Sequence, residues 1–167
     1  MPKQRLFLCI LLMGLLFLCS CQHPDHGTKL PSNDSLANSP INYLYFSESN
    51  SYFKRVQGYE FHDENGKYTV YFHLANEETA YPITVDQEWA NTLKSCIEQY
   101  GIMRWNGFKG SARNLLDGTH FFIEFTFEDG TEIRASGYGQ FPEGYGDASS
   151  AIDAHFMQLL PENMRDW

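Results

Sequence analysis

The feature that most limits the fold is an alternation of large apolar and polar side chains that stops at glycine turns. Phe121, Ile123, Phe125 and Phe127 share one parity, while Phe122, Glu124, Thr126 and Glu128 share the other. After Asp129-Gly130 the pattern resumes, with Ile133 and Ala135 set against Glu132 and Arg134. Successive side chains of a strand point to opposite faces, so the pattern predicts a hairpin of residues 120–127 and 131–136. Residues 58–63 and 67–75 flank Glu64-Asn65-Gly66 and predict a second hairpin, because Asn-Gly accepts the positive φ that a tight turn demands. There Tyr68, Val70, Phe72 and Leu74 alternate with Thr69, Tyr71 and His73. A sheet with one dry and one wet face is antiparallel, since parallel sheets are covered on both faces. Residues 41–46 add a further strand.

Two helices are expected to cover the dry face. Over residues 86–100, Trp89, Leu93, Cys96, Ile97 and Tyr100 recur at helical spacing on one side. Thr84 and Gln87 suit a capping box, and Gly101 suits the position just past the C-terminus. Residues 147–160 start at Asp147, a natural N-cap, and stop before Pro161. Their apolar stripe is Ala148, Ala151, Ile152, Phe156, Leu159 and Leu160. The expected class is α+β: an antiparallel meander sheet with one face covered by two helices.

The N-terminal segment has a different character. Lys3 and Arg5 are the only charges among the first twenty residues, and an apolar run over 6–18 follows, broken by Cys9 and Gly14. The run falls short of the roughly 20 residues that span a bilayer, and its order of positive end, apolar stretch and small residues is that of a secretory signal. Its end, Leu18-Cys19-Ser20-Cys21, resembles the lipobox of bacterial lipoproteins. The resemblance implies a diacylglyceryl group on the sulfur of Cys21 and cleavage before it by signal peptidase II. Cys19 departs from the small or hydroxyl residue more usual at that position. Two or three acyl chains hold a protein on a membrane stably, where one does so only reversibly. The expected domains are therefore a signal peptide over 1–20, a lipid-anchored flexible linker over 21–40, rich in Pro, Ser, Asn and Asp, and a single α+β domain over 41–167. The expected location is the cell envelope, with the domain outside the cytoplasm. Gln22 is not an inner-membrane retention Asp, which points to the outer membrane where a host has one.

Charge and cysteines narrow the partners. The formal charge of −9 becomes −11 when Lys3 and Arg5 leave with the signal. Such a chain is repelled by phosphate backbones, which argues against nucleic acid. Of four cysteines, only Cys96 would remain unmodified, so no intramolecular disulfide is expected. Its place on the helical apolar face reads as packing.

No nucleophile elbow, zinc-helix motif, phosphate-binding loop or Cys-x-x-Cys pair is present, and no cofactor is expected. Weak catalytic candidates are His73, His120 and Glu124, which share the polar parity of their strands. The stronger candidates are binding residues. Arg104, Lys109 and Arg113 concentrate cations in an acidic chain, beside Trp105 and Phe108. A glycine-rich loop adds Tyr138, Phe141 and Tyr145. Rings with a few polar neighbours suit a ligand groove or a partner surface. The segments Trp105-Asn106-Gly107-Phe108, Leu115-Leu116-Asp117-Gly118, Phe125-x-Phe127-x-Asp129-Gly130, Ala135-Ser136-Gly137-Tyr138 and Phe141-Pro142-Glu143-Gly144-Tyr145 resemble a module of small, uncharacterised proteins of gut-type bacteria. That resemblance spans residues 105–160 and implies a fold unit without an activity. The functional expectation is a membrane-tethered module that binds an envelope protein or a glycan. Its rivals are an envelope hydrolase or metal-dependent enzyme and an inhibitor of an envelope enzyme.

Overall fold

The computed structural model describes residues 39–49, 56–75, 77–113 and 118–165. The signal over 1–20, Cys21, almost all of the linker and the Leu115-Leu116-Asp117 stretch lie outside the described residues. Among the described residues the fold is mixed α+β, with a largely antiparallel sheet of seven strands and two α-helices.

The strands are β1 (Ile41–Ser49), β2 (Val56–Glu64), β3 (Lys67–Leu74), β4 (Tyr81–Val85), β5 (Lys109–Ser111), β6 (His120–Phe127) and β7 (Glu132–Tyr138). Their order across the sheet is β4-β3-β2-β1-β6-β7-β5. This departs from a single meander. β1 lies between β2 and β6, and β5 joins the far edge parallel to β7. Both expected hairpins form. Asn65 and Gly66 take φ of 57° and 82°, which closes β2 on β3 with Glu64 opposite Lys67. The alternation then sorts the side chains: Val70 and Phe72 on β3, Phe121, Ile123 and Phe125 on β6, and Ile133 and Ala135 on β7 are all buried. On β1 the parity slips, since Ile41, Leu44 and Phe46 are all buried. A bulge against β6 between Ile41 and Tyr43 absorbs the extra residue and returns Ile41 to the dry side.

Helix α1 is Gln87–Gln99 and α2 is Tyr145–Met157. The first is capped by Asp86, whose carboxylate accepts from Trp89 N at 2.8 Å, and the expected Thr84–Gln87 box is not the cap. The second begins at Tyr145 behind Gly144, so Asp147 sits inside the first turn, where a carboxylate still favours the positive end of the helix dipole. Leu93 and Ile97 of α1 and Ala148, Ile152 and Phe156 of α2 join the buried cluster. Phe156 stacks on Tyr59 of β2 with centroids 4.6 Å apart, and Trp89 lies 6.0 Å from Phe61 of the same strand. Cys96 is half-buried against the core, as a packing residue would be.

Candidate functional site

The segment between α1 and β5 is built to present one cation. Helix α1 ends at Tyr100, and Gly101 adopts φ 62°, the left-handed conformation that glycine accepts without strain. A 3₁₀ turn, Ile102–Trp105, follows. Ile102, Met103 and Trp105 face the core, and Arg104 is left exposed. The Arg104 guanidinium folds back over Gly101 so closely that a Cβ there would meet it. Arg104 makes no ion pair among the described residues. Asn106 and Gly107 tie the segment to β7: Gly107 N donates to Arg134 O at 2.8 Å, and Arg134 N donates to Asn106 Oδ1 at 3.1 Å.

The loop from β7 to α2 meets this segment. Trp105 Nε1 donates to the Glu143 carbonyl at 3.2 Å. Phe121 is the floor beneath both loops, with Phe108 at 6.2 Å, Phe141 at 5.7 Å and Tyr145 at 4.6 Å between ring centroids. Above it opens a cleft of about 490 Å³ lined by Tyr100, Gly101, Arg104, Trp105, Phe108 and residues 141–144.

Of the eight candidate binding residues, the structure brings four to this cleft: Arg104, Trp105, Phe108 and Phe141. Trp105 is only 3% exposed and forms its wall rather than a free ring. Tyr145, read from sequence as a loop ring, is a core residue at 8% exposure. Its phenol donates to Glu48 Oε2 at 2.7 Å, and burial followed by that bond pushes its pKa far up. Lys109 is exposed on β5, and Arg113 follows that strand; neither lines the cleft. Tyr138 lies across from His120, with rings 4.3 Å apart, away from the cleft.

The three weak catalytic candidates do not converge. His73 pairs with Gly58 across β3 and β2, whereas Glu124 pairs with Tyr45 on β1. Two strands therefore separate them, roughly 14 Å at about 4.8 Å per strand. His120 and Glu124 are four residues apart on β6, about 13 Å along a strand. Each has its own neighbour: Glu124 accepts from Arg134 Nη2 at 2.8 Å, and His73 Nε2 lies 3.0 Å from Glu60. Among the described residues no three His, Cys, Asp or Glu groups gather as metal ligands would.

Sequence reading missed Glu60 and His62. Glu60 lies between two imidazoles, with His62 Nε2 at 2.9 Å and His73 Nε2 at 3.0 Å. The signal was available. A two-residue turn at Asn65-Gly66 fixes the register, so Glu60 opposes Tyr71 and comes diagonal to His73.

The chain matches no protein family, no curated protein and no solved structure.

Proposed function

We propose that the chain is an exported lipoprotein, anchored through Cys21, whose domain binds an anionic, ring-bearing or sugar-like ligand in the two-loop cleft. One observation carries the reading: two loops far apart in sequence meet so that a guanidinium with no ion pair among the described residues stands beside Phe108 and Phe141 in an acidic protein. A cleft walled by aromatic rings and carrying a few polar groups, here the Arg104 guanidinium and Glu143, is the usual form of a small-ligand site. Arg suits a carboxylate or phosphate because its fork offers paired donors. At Gly101 the absent Cβ makes room for the Arg104 guanidinium. In the same reading α1 and α2 cover the dry face of a sheet whose β1 to β4 part runs as a meander, and the wet face is left to solvent and partners. The Trp89–Phe61 and Phe156–Tyr59 contacts support that arrangement.

Two measurements test the parts separately. Cys21→Ser should abolish labelling by radioactive palmitate; label that still enters the variant refutes the anchor. Trp105 lies in the cleft wall and serves as a reporter. Titration with trigalacturonate, N-acetylneuraminate and glucose 6-phosphate should change tryptophan fluorescence for at least one, and the change should vanish in Trp105→Phe. A flat response to all three refutes the anionic-ligand reading.

A further inference from the structure

The wet face of the sheet carries a second constellation that does not depend on the cleft. Two rows of rings cross the strands. Tyr43, His62 and Tyr71 form one, with successive centroids 5.2 and 5.4 Å apart. His73, Tyr45 and Phe122 form the other, at 5.6 and 5.9 Å. Glu60 joins the rows, with one oxygen near His62 and the other near His73. All six rings are partly exposed. Cross-strand aromatic pairs stabilise a sheet by up to about 1 kcal/mol each, which accounts for the rings touching. It does not account for the polar groups set between them.

The carboxylates on this face are each held by a hydrogen-bonding partner. Arg134 Nη2 lies 2.8 Å from Glu124 and 2.5 Å from Glu132. Glu60 is held by its two imidazoles. Burial, then the nearby Glu60 and Glu124 carboxylates, pushes the Tyr43 phenol up to about 12, so it stays a neutral hydroxyl that can both donate and accept. An anionic ligand would meet three carboxylates, Glu60, Glu124 and Glu132, against the single Arg134 guanidinium, whereas a neutral polyol meets no such repulsion. The six rings, three phenols, two imidazoles and Phe122, stand edge-to-face or tilted at 51–81° to their neighbours, and with the held carboxylates they offer ring surface and hydrogen-bonding groups to a molecule with C–H faces and a rim of hydroxyls.

We infer that the wet face, centred on Tyr45, Glu60 and Phe122, is a platform for a neutral glycan chain. Sugar faces lie on the two rows of rings, and sugar hydroxyls exchange hydrogen bonds with the phenols and the Glu60–imidazole cluster. The surface is an open sheet rather than a cleft, which suits an extended polymer better than a small enclosed ligand.

The test is co-sedimentation of the full chain, purified in detergent, with insoluble cellulose, xylan, chitin and mannan. Retention is expected on at least one. Tyr45→Ala and Phe122→Ala should each weaken it about tenfold or more, as removal of a central ring does. Glu88→Ala, on the exposed side of α1, should leave it unchanged. Melting curves establish that each variant is folded, and if one is not, the other decides. Retention on none of the four glycans overturns the proposal, as does retention that survives the folded ring variants. Capture of oligolysine without any glycan would identify a basic protein partner and overturns it too.

Discussion

The two-loop cleft and the wet sheet face are both ringed by aromatics, yet they solve opposite electrostatic problems. In the cleft, Arg104 has no carboxylate partner among the described residues, and the backbone turns at Gly101 and Gly144 set its rim. On the sheet face every described carboxylate of the constellation is already engaged, and strand register sets each position. Under the two proposals, the exposed guanidinium would select an anionic ligand, whereas the carboxylate-bearing ring face would select hydroxyls and shape. The comparison teaches that ring content alone does not define a ligand class. The state of the polar groups between the rings does.

The largest effect should come from the one residue that breaks the cleft while sparing the sheet face. Phe121 supports Trp105, Phe108, Phe141 and Tyr145 at once and is 2% exposed. Phe121→Ala should cost about 3–5 kcal/mol in denaturant unfolding, the range for large core deletions. In variants still folded, the cleft ligand should be lost before the glycan. A loss under 1 kcal/mol would mean that the loops do not rest on this ring.

A smaller effect concerns the half-buried His155, which packs on helix α1 rather than on the sheet face. His155 stacks on Trp89 at 4.3 Å, and its Nε2 lies 3.2 Å from the Trp89 carbonyl. Burial lowers its pKa, and the bond to that carbonyl opposes the shift only in part. The unfolded chain takes up this proton near pH 6.5 while the folded chain resists it, so the native state loses stability as pH falls below about 6.5. Relative to His155→Gln, wild type should lose up to about 1.4 kcal/mol per pH unit in that window and nothing above it. Parallel melting curves for the two proteins from pH 8 to 5 would show the contribution to be absent.

Much of this architecture was legible in the sequence, and the gaps have physical causes. Turn chemistry and alternation located both hairpins, because Asn65-Gly66 and the β6–β7 pattern are local. Helix α1 was legible from its apolar face, though Asp86 outcompeted the Thr84–Gln87 box, being two residues closer to the first turn. β4 is short and contains Pro82, and β5 is three residues, Lys-Gly-Ser, whose pairing with β7 leaves no periodic trace. Arg104, Phe108 and Phe141, which stand out by composition, do line one cleft together with Trp105. Tyr145 was misplaced because α2 begins two residues before Asp147 and turns that ring into the core. The Glu60 cluster required a register that the sequence did contain.

The smallest effect concerns Cys96. Burial pushes its thiol pKa up, which lowers the thiolate fraction that reacts. Labelling by a maleimide in native buffer should be slow and should accelerate on addition of denaturant. Equal rates in both would place the thiol in solvent and away from the helix face.

The most direct test of the central claim is the affinity of Arg104→Ala for whichever anionic sugar alters the fluorescence of the wild type, measured by calorimetry beside Tyr45→Ala. An exposed arginine can be removed with little change in stability, within about 0.5 kcal/mol, so binding is read on a folded protein. The cleft account predicts that Arg104→Ala loses about tenfold or more in Kd while Tyr45→Ala binds as wild type does. Equal affinity in wild type and Arg104→Ala would contradict it.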